Sequence, residues 1–99
     1  MATIEIRHPH RTTLADAKAR THRMVAAFAE EKRELIRSVE WHSDVSATAI
    51  GRGFVGRFTV SDTHVNVAID LSFLVRPLKG KVETRLMQRI VAEFGEAGA

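Results

Sequence analysis

The sequence predicts an α+β fold in which a long N-terminal helix and a C-terminal helix cover one face of an antiparallel sheet. Apolar residues alternate with polar or small ones in five short stretches, which is the pattern of strands with one buried face. Two longer stretches repeat apolar residues at helical spacing, and short turns separate the last four strand stretches. Such turns join neighbouring antiparallel strands. We expect the 99 residues to form a single domain, with residues 95–99 as a frayed tail.

A short strand and a helix open the chain. Ile4 and Ile6 alternate with polar residues before Pro9, which ends a strand or confines it to a sheet edge. Thr13 is predicted to cap the helix, and Asp16 occupies the acidic position of a capping box. The apolar face predicted for this helix consists of Leu14, Ala17, Thr21, Met24, Val25, Phe28, Leu35 and Ile36.

Four further strands follow as a meander. Their predicted inward positions are Val39, Trp41, Val45, Ala47, Ala49, Phe54, Gly56, Phe58, Val60, Val65, Val67, Ile69 and Leu71. If the helix returns the chain between the first two strands, the simplest fully antiparallel sheet has the order 2-3-4-5-1. Strand two then lies at an edge, where it can pair with a second copy, so we predict a symmetric homodimer.

An apolar and basic loop leads into the last helix. Residues 73–80 read FLVRPLKG, which is too apolar for an ordinary solvent loop and is interrupted by Pro77 and Gly80. The helix after it separates an apolar side from a side with several cations. Two alternatives stay open for the loop, a contact surface or a segment folded under the sheet. The candidate interaction surface consists of Phe73, Leu74, Val75, Arg76, Leu78, Lys79, Lys81, Arg85 and Arg89.

Composition excludes several classes of function. The chain has no cysteine, which removes disulfides, thiol catalysis and cysteine-based metal sites. No apolar run approaches the roughly 20 residues of a membrane span, and none at the N-terminus resembles a signal peptide, so we expect a cytoplasmic protein. A net charge of +3 with a pI near 10.0 permits weak attraction to anionic surfaces.

Residues 51–56 read GRGFVG and match the glycine pattern of dinucleotide sites. A strand pattern follows them instead of the helix that such a site needs, so we predict turn and bulge glycines. Arg52 and the two residues after it also match the opening of an RNA-recognition signature, but the match ends there. We predict that Phe54 and Phe58 pack in the core.

The histidines do not predict a metal site. His8 and His10 have a spacing that could place two imidazoles together, and His42 or His64 could add a third ligand. No recognised metal motif or nucleophile motif accompanies them, so we predict surface histidines. Glu40 is predicted to share the outer sheet face with His42. We assign no catalytic residue, no metal and no cofactor.

The densest basic group could contact phosphate. It comprises Arg76, Lys79, Lys81, Arg85 and Arg89. A cationic helix side is more often a solvated face, and no aromatic platform is interleaved with these residues. Nucleic-acid binding is therefore the weaker alternative.

Residues 70–83, DLSFLVRPLKGKVE, resemble the strand-to-helix segment of small bacterial proteins called the polyhydroxyalkanoic acid system family. The most specific part is the run D-L-x-F-L-x-x-P-L-K-G-K. Other features agree in order and spacing, namely Ile4-Glu5-Ile6-Arg7 followed by His10, the alanine-rich helix after Leu14, the Trp41 strand and the segment Gly53-Phe54-x-Gly56-x-Phe58. One departure is that residues 34–38 lack the glycine often found there between helix and strand.

The resemblance implies an association with polyester storage granules and no assigned enzymatic activity. We therefore expect a non-enzymatic accessory or binding protein of the polyhydroxyalkanoate system, cytoplasmic and granule-associated, whose loop and helix surface contacts a granule or a granule protein. The chain lacks the long amphipathic helices of a phasin. One alternative is a small helix-grip-like carrier of an apolar small molecule, which requires an internal void. A second alternative is a weak nucleic-acid-binding module.

Overall fold

The computed structural model describes residues 2–72 and 77–95 and shows an α+β fold. The strands are β1 (Ala2–Pro9), β2 (Ile36–Ser43), β3 (Ser46–Gly51), β4 (Phe54–Val60) and β5 (His64–Leu71). The helices are α1 (Leu14–Glu31) and α2 (Lys79–Phe94). All neighbouring strands pair antiparallel, so the predicted fold class with one antiparallel sheet is confirmed.

The sheet has the strand order β1-β5-β4-β3-β2, which read from its other edge is β2-β3-β4-β5-β1. In the central pairs, Val67 of β5 lies opposite Ile6 of β1 and opposite Phe58 of β4. Residues directly opposite each other share a face, so this register collects the apolar positions on one side. β2 is an edge strand, and the homodimer inferred from that edge stays a prediction.

Both helices pack on the apolar side of the sheet. The buried core joins inward residues of β1, β3, β4 and β5 to α1 and α2. Met24 of α1, Val65 of β5 and Ile90 of α2 are among its most enclosed side chains, each at most 1% exposed. Burying an aliphatic side chain of this size contributes about 1.5–3 kcal/mol, so these contacts hold the helices on the sheet.

α1 begins as the sequence predicts. The Thr13 hydroxyl accepts a hydrogen bond from the backbone N–H of Asp16 at 3.1 Å, which confirms the predicted cap. The Asp16 carboxylate in turn accepts bonds from Arg20 and Thr12, both at 2.7 Å. These bonds, the one from Arg20 first, lower the pKa of Asp16 from its ordinary value. A negative charge in the first turn also suits the helix dipole.

α1 ends earlier than its apolar pattern predicts. The pattern extends through Ile36, but the helix ends at Glu31 and Ile36 begins β2 opposite Gly51. The N–H groups of Leu35 and Ile36 both donate to the Lys32 carbonyl at 2.8 Å, which turns the chain back towards the sheet. Leu35 is consequently 48% exposed. Pairing with β3 here outweighs helical spacing, as tertiary contacts often do.

The glycine-rich segment 51–56 is a hairpin between β3 and β4. Gly51 lies opposite Phe54, and Arg52 and Gly53 form the turn between them. Gly53 has a φ of 85°, which favours glycine. The predicted turn is confirmed at Gly53, whereas the predicted bulge is wrong, because Gly51 and Gly56 lie in β3 and β4 in a regular register. At the preceding turn, Val45 lies just before β3 rather than within it.

The prediction that His8 and His10 lie on the surface is wrong. They are 3% and 5% exposed, because they continue the inward alternation of β1. Each imidazole Nε2 donates to a backbone carbonyl, His8 to Gly95 at 2.6 Å and His10 to Ser61 at 2.7 Å. Buried polar groups are stable when they are hydrogen-bonded in this way. His8 thereby ties β1 to the end of α2.

Candidate functional site

A partly enclosed cleft of about 440 Å³ lies between the sheet and the two helices. Its floor is the inner face of the sheet at the ends of strands near the β3–β4 turn, with Phe58 and Ile69 among the floor residues. Its walls come from the C-terminal end of α1, including Phe28, and from the first half of α2, including Val82 and Leu86. The lining is mostly apolar, so the cleft offers a surface suited to an apolar ligand.

The cleft exists because two small residues meet on its floor. Ala49 of β3 and Gly56 of β4 lie directly opposite each other and both line the cleft. A Cβ placed on Gly56 would come no closer than 3.6 Å to any neighbouring atom, the nearest being Cγ1 of Ile69. A methyl group at Gly56 would therefore fit in ordinary van der Waals contact without a clash. Side chains from these two strands cannot fill the layer between sheet and helices at this point.

Charged side chains join the two helices directly. An Arg23 guanidinium nitrogen of α1 donates to the Glu93 carboxylate of α2 at 2.7 Å. Arg89 of α2 pairs with Glu31 at the end of α1, and its guanidinium carbon lies 5.2 Å from the centre of the Phe28 ring. α1 then ends, so no further helical turn lies against the first turns of α2. The gap beside those turns is the cleft.

Four basic side chains border the cleft. Lys32 follows α1, Arg52 lies in the β3–β4 turn, and Lys81 and Arg85 belong to α2. Among residues 2–72 and 77–95, no aspartate or glutamate lines the cleft. No carboxylate within the described part of the chain lies within 4.0 Å of the charged nitrogens of these four residues. The apolar cleft thus has a cationic rim.

Part of the predicted interaction surface contributes to this cleft. Leu78, which is 50% exposed, lines the cleft together with Lys81 and Arg85. Phe73, Leu74, Val75 and Arg76 lie outside the residues that the structure describes. For these four residues, the contact surface and the segment folded under the sheet both stay predictions.

The remaining predicted surface residues lie apart from the cleft lining. Lys79 begins α2 and is half-buried. Arg89 contacts α1 through Glu31 and the ring of Phe28. Arg89 therefore helps to join the helices, and Lys81 and Arg85 are the α2 cations that border the cleft.

Sequence reasoning missed half of the basic rim and the meaning of the small floor residues. Lys32 and Arg52 were not expected in one site, because turns that are distant in sequence bring them together. The sequence does contain a signal for the small residues of the cleft floor. A turn at Arg52 and Gly53 places Ala49 opposite Gly56, and two small residues facing each other at inward positions indicate a gap in the core.

The other histidines make local contacts. His22 stacks on Trp41, with ring centres 3.7 Å apart and planes 5° apart. His42 Nε2 lies 2.8 Å from the Thr48 hydroxyl, and its Nδ1 is 4.0 Å from Glu40. The prediction that Glu40 and His42 share the outer sheet face is confirmed. Among residues 2–72 and 77–95, no three histidine, aspartate or glutamate side chains gather in a group that could hold a metal ion.

Comparison with known families matches residues 4–94 to the family described as "Putative polyhydroxyalkanoic acid system protein". The match runs from β1 to the last residue of α2 and so includes every element that forms the cleft. Neither the curated proteins nor the solved structures gave a match. In the described ranges, neither helix is both long and apolar enough to cross a membrane. On the extent of the family match, the chain belongs to the polyhydroxyalkanoic acid system family.

Proposed function

We propose that this chain is a non-enzymatic binding protein of the polyhydroxyalkanoate system, and that the cleft is its binding site. The observation that carries the proposal is the cavity of about 440 Å³ above Ala49 and Gly56. Sites for small molecules have volumes of roughly 300–1,000 Å³ and mostly apolar walls with a few polar groups. The family match supplies the biological setting.

The geometry favours the carrier alternative over a purely external contact surface. A carrier needs a void between helices and sheet, and the cleft is such a void. The apolar atoms that line an open cleft lack packed neighbours on one side. An apolar ligand would restore those contacts and remove its own surface from water, so binding is favourable without any chemical step.

Titration of the isotope-labelled protein with a series of primary alcohols tests the binding site. We expect decanol to shift the NMR signals of Ala49, Gly56 and Val82 in a saturable way. Affinity should rise about fourfold for each methylene added between hexanol and decanol, because burying one methylene contributes about 0.8 kcal/mol.

A matched pair of valine variants locates the bound alcohol. Gly56→Val adds atoms to the cleft floor and should weaken decanol binding about tenfold or more. Ala68→Val adds methyl groups on the outer face of β5, opposite Glu5 and Arg57, and should leave binding unchanged. Gly56→Ala, whose added methyl group fits without a clash, should weaken binding less than Gly56→Val. The proposal fails if decanol does not bind, or if Gly56→Val binds it as well as the parent.

A second candidate function is docking on a granule surface or a granule protein through the loop before α2. It is favoured by Leu78, which is 50% exposed beside the half-buried Lys79. We expect Leu74→Ala combined with Val75→Ser to reduce the fraction of protein that sediments with polymer granules while the melting temperature stays nearly unchanged. Arg76→Glu should weaken sedimentation in a salt-dependent way.

The control for docking is Ile50→Ala, which removes an apolar side chain that is 43% exposed on β3. It should leave granule sedimentation unchanged. If the double variant instead melts far below the parent, its two residues belong to the core and the docking function is lost. The nucleic-acid alternative stays a prediction without further support from the described residues.

A further inference from the structure

We infer that the ligand of the cleft is an amphiphile with one aliphatic chain and a terminal carboxylate. The chain lies in the apolar cleft, and the carboxylate meets the basic rim. This inference rests on the proposed function, because it requires the cleft to be a binding site. Beyond the proposed function, it specifies the chemical class of the ligand and the residues that select this class.

The charge around the cleft has one sign. Lys32, Arg52, Lys81 and Arg85 border it, and no acidic residue is among the described residues that line it. These cations come from the turn after α1, the β3–β4 turn and α2, so three separate segments supply the positive charge instead of one exposed helix face. Charges that surround an apolar opening attract an anion to that opening.

Some other arginines of the described chain have a carboxylate partner. Arg20 pairs with Asp16 at 2.7 Å, and Arg57 lies 3.3 Å from Asp70. The four rim cations have no described carboxylate within 4.0 Å. A ligand carboxylate would supply that partner through charge-assisted hydrogen bonds, and the guanidinium of an arginine can bind both carboxylate oxygens.

The apolar part of the cleft defines the rest of the ligand. Phe58, Ile69 and Leu86 offer no hydrogen-bonding side chain, so the buried part of the ligand must be apolar. Alkanoic acids combine such a chain with a carboxylate, and the family description names a polymer of hydroxyalkanoic acids. The polymer named by the family is thus built from acids of the chemical class that suits the cleft.

Decanoate and decanol form a matched pair of probes, because they differ mainly in the charge of the head group. With decanoate kept below the concentration at which it forms micelles, we expect it to bind about tenfold more tightly than decanol at low salt. Roughly 1 M sodium chloride shortens the screening length to about 3 Å and should reduce this advantage, while decanol binding should not weaken.

Variants of the rim test which residues provide the selectivity. Lys81→Gln combined with Arg85→Gln replaces two exposed cations by a good helix former and should abolish most of the advantage of decanoate without weakening decanol binding. Arg52→Gln should reduce the advantage in part. The control Arg7→Gln removes an exposed charge on the outer face of β1 and should change neither affinity.

The outcomes separate this inference from the proposed function. If decanol binds in the cleft and decanoate binds no more tightly, the carboxylate inference is overturned while the binding site stands. The same conclusion follows if the rim variants keep the full advantage of decanoate. If neither probe binds, both the inference and the proposed function are overturned.

Discussion

Replacing Ile90 with alanine is expected to lower the free energy of unfolding by about 2–5 kcal/mol. Ile90 lies on α2 with an exposed fraction of 0% and belongs to the core shared by the sheet and both helices. The substitution removes buried methyl groups and leaves a cavity that the surrounding strands cannot fully close. Because α2 also supplies Val82 and Leu86 to the cleft wall, its docking is a condition for the proposed site.

Urea unfolding of a graded series measures this effect. Ile90→Val, which removes one methyl group, should lower the free energy of unfolding by about 0.5–1.5 kcal/mol. Met87→Ala is the matched control on the same helix, because Met87 is 38% exposed and its loss should change stability much less. If Met87→Ala destabilised the protein as strongly as Ile90→Ala, α2 would face the sheet through a different side from the one described.

Adding one methyl group to each of two nearby glycines is expected to change stability in opposite directions. Gly51→Ala should lower the free energy of unfolding by about 1–3 kcal/mol. Its Cβ would overlap the Phe54 ring and lie 2.6 Å from the carbonyl oxygen of Leu35. The Leu35 carbonyl cannot easily withdraw, because it accepts a hydrogen bond from the Arg52 N–H at 2.8 Å.

Gly56→Ala should instead raise the free energy of unfolding by about 0.4–1 kcal/mol. The new methyl group would lie 3.6 Å from Ile69 and 3.7 Å from Phe58, which is ordinary van der Waals contact. Neither Gly51 nor Gly56 has a positive φ, so both backbones accept alanine and only the available space differs. Equal changes in the urea midpoint for the two variants would show that Gly56 has no more room for a methyl group than Gly51.

Much of the fold follows from local patterns. Alternation in β5, where every second residue from Val65 to Leu71 is buried, marks a strand with one apolar face. Thr13 and Asp16 mark the start of α1, and Gly53 marks a turn, because each local conformation has a strong residue preference. The strand patterns and short turns are sufficient to predict an antiparallel sheet with helices on its apolar side.

Other features depended on contacts between distant residues. The apolar spacing of Leu35 and Ile36 fits a helix, yet Ile36 pairs with β3. His8 and His10 are polar enough for the surface, but the carbonyl groups of Gly95 and Ser61 provide partners that make their burial possible. Neither partner can be identified from the residues around the histidines in sequence.

The sequence by itself determined the alternating strands, the start of α1, the β3–β4 turn and the family to which the chain belongs, because these depend on short-range patterns and motif spacing. Only the tertiary structure decided that a cleft exists. A cavity is the difference between the space that the backbone encloses and the volume of the side chains that point into it. Ala49 and Gly56 contribute little side-chain volume to this space, and the strand register sets them opposite each other on the cleft floor. The same folding brings Lys32 and Arg52 to one opening, since electrostatic fields depend on distance in space and not along the chain.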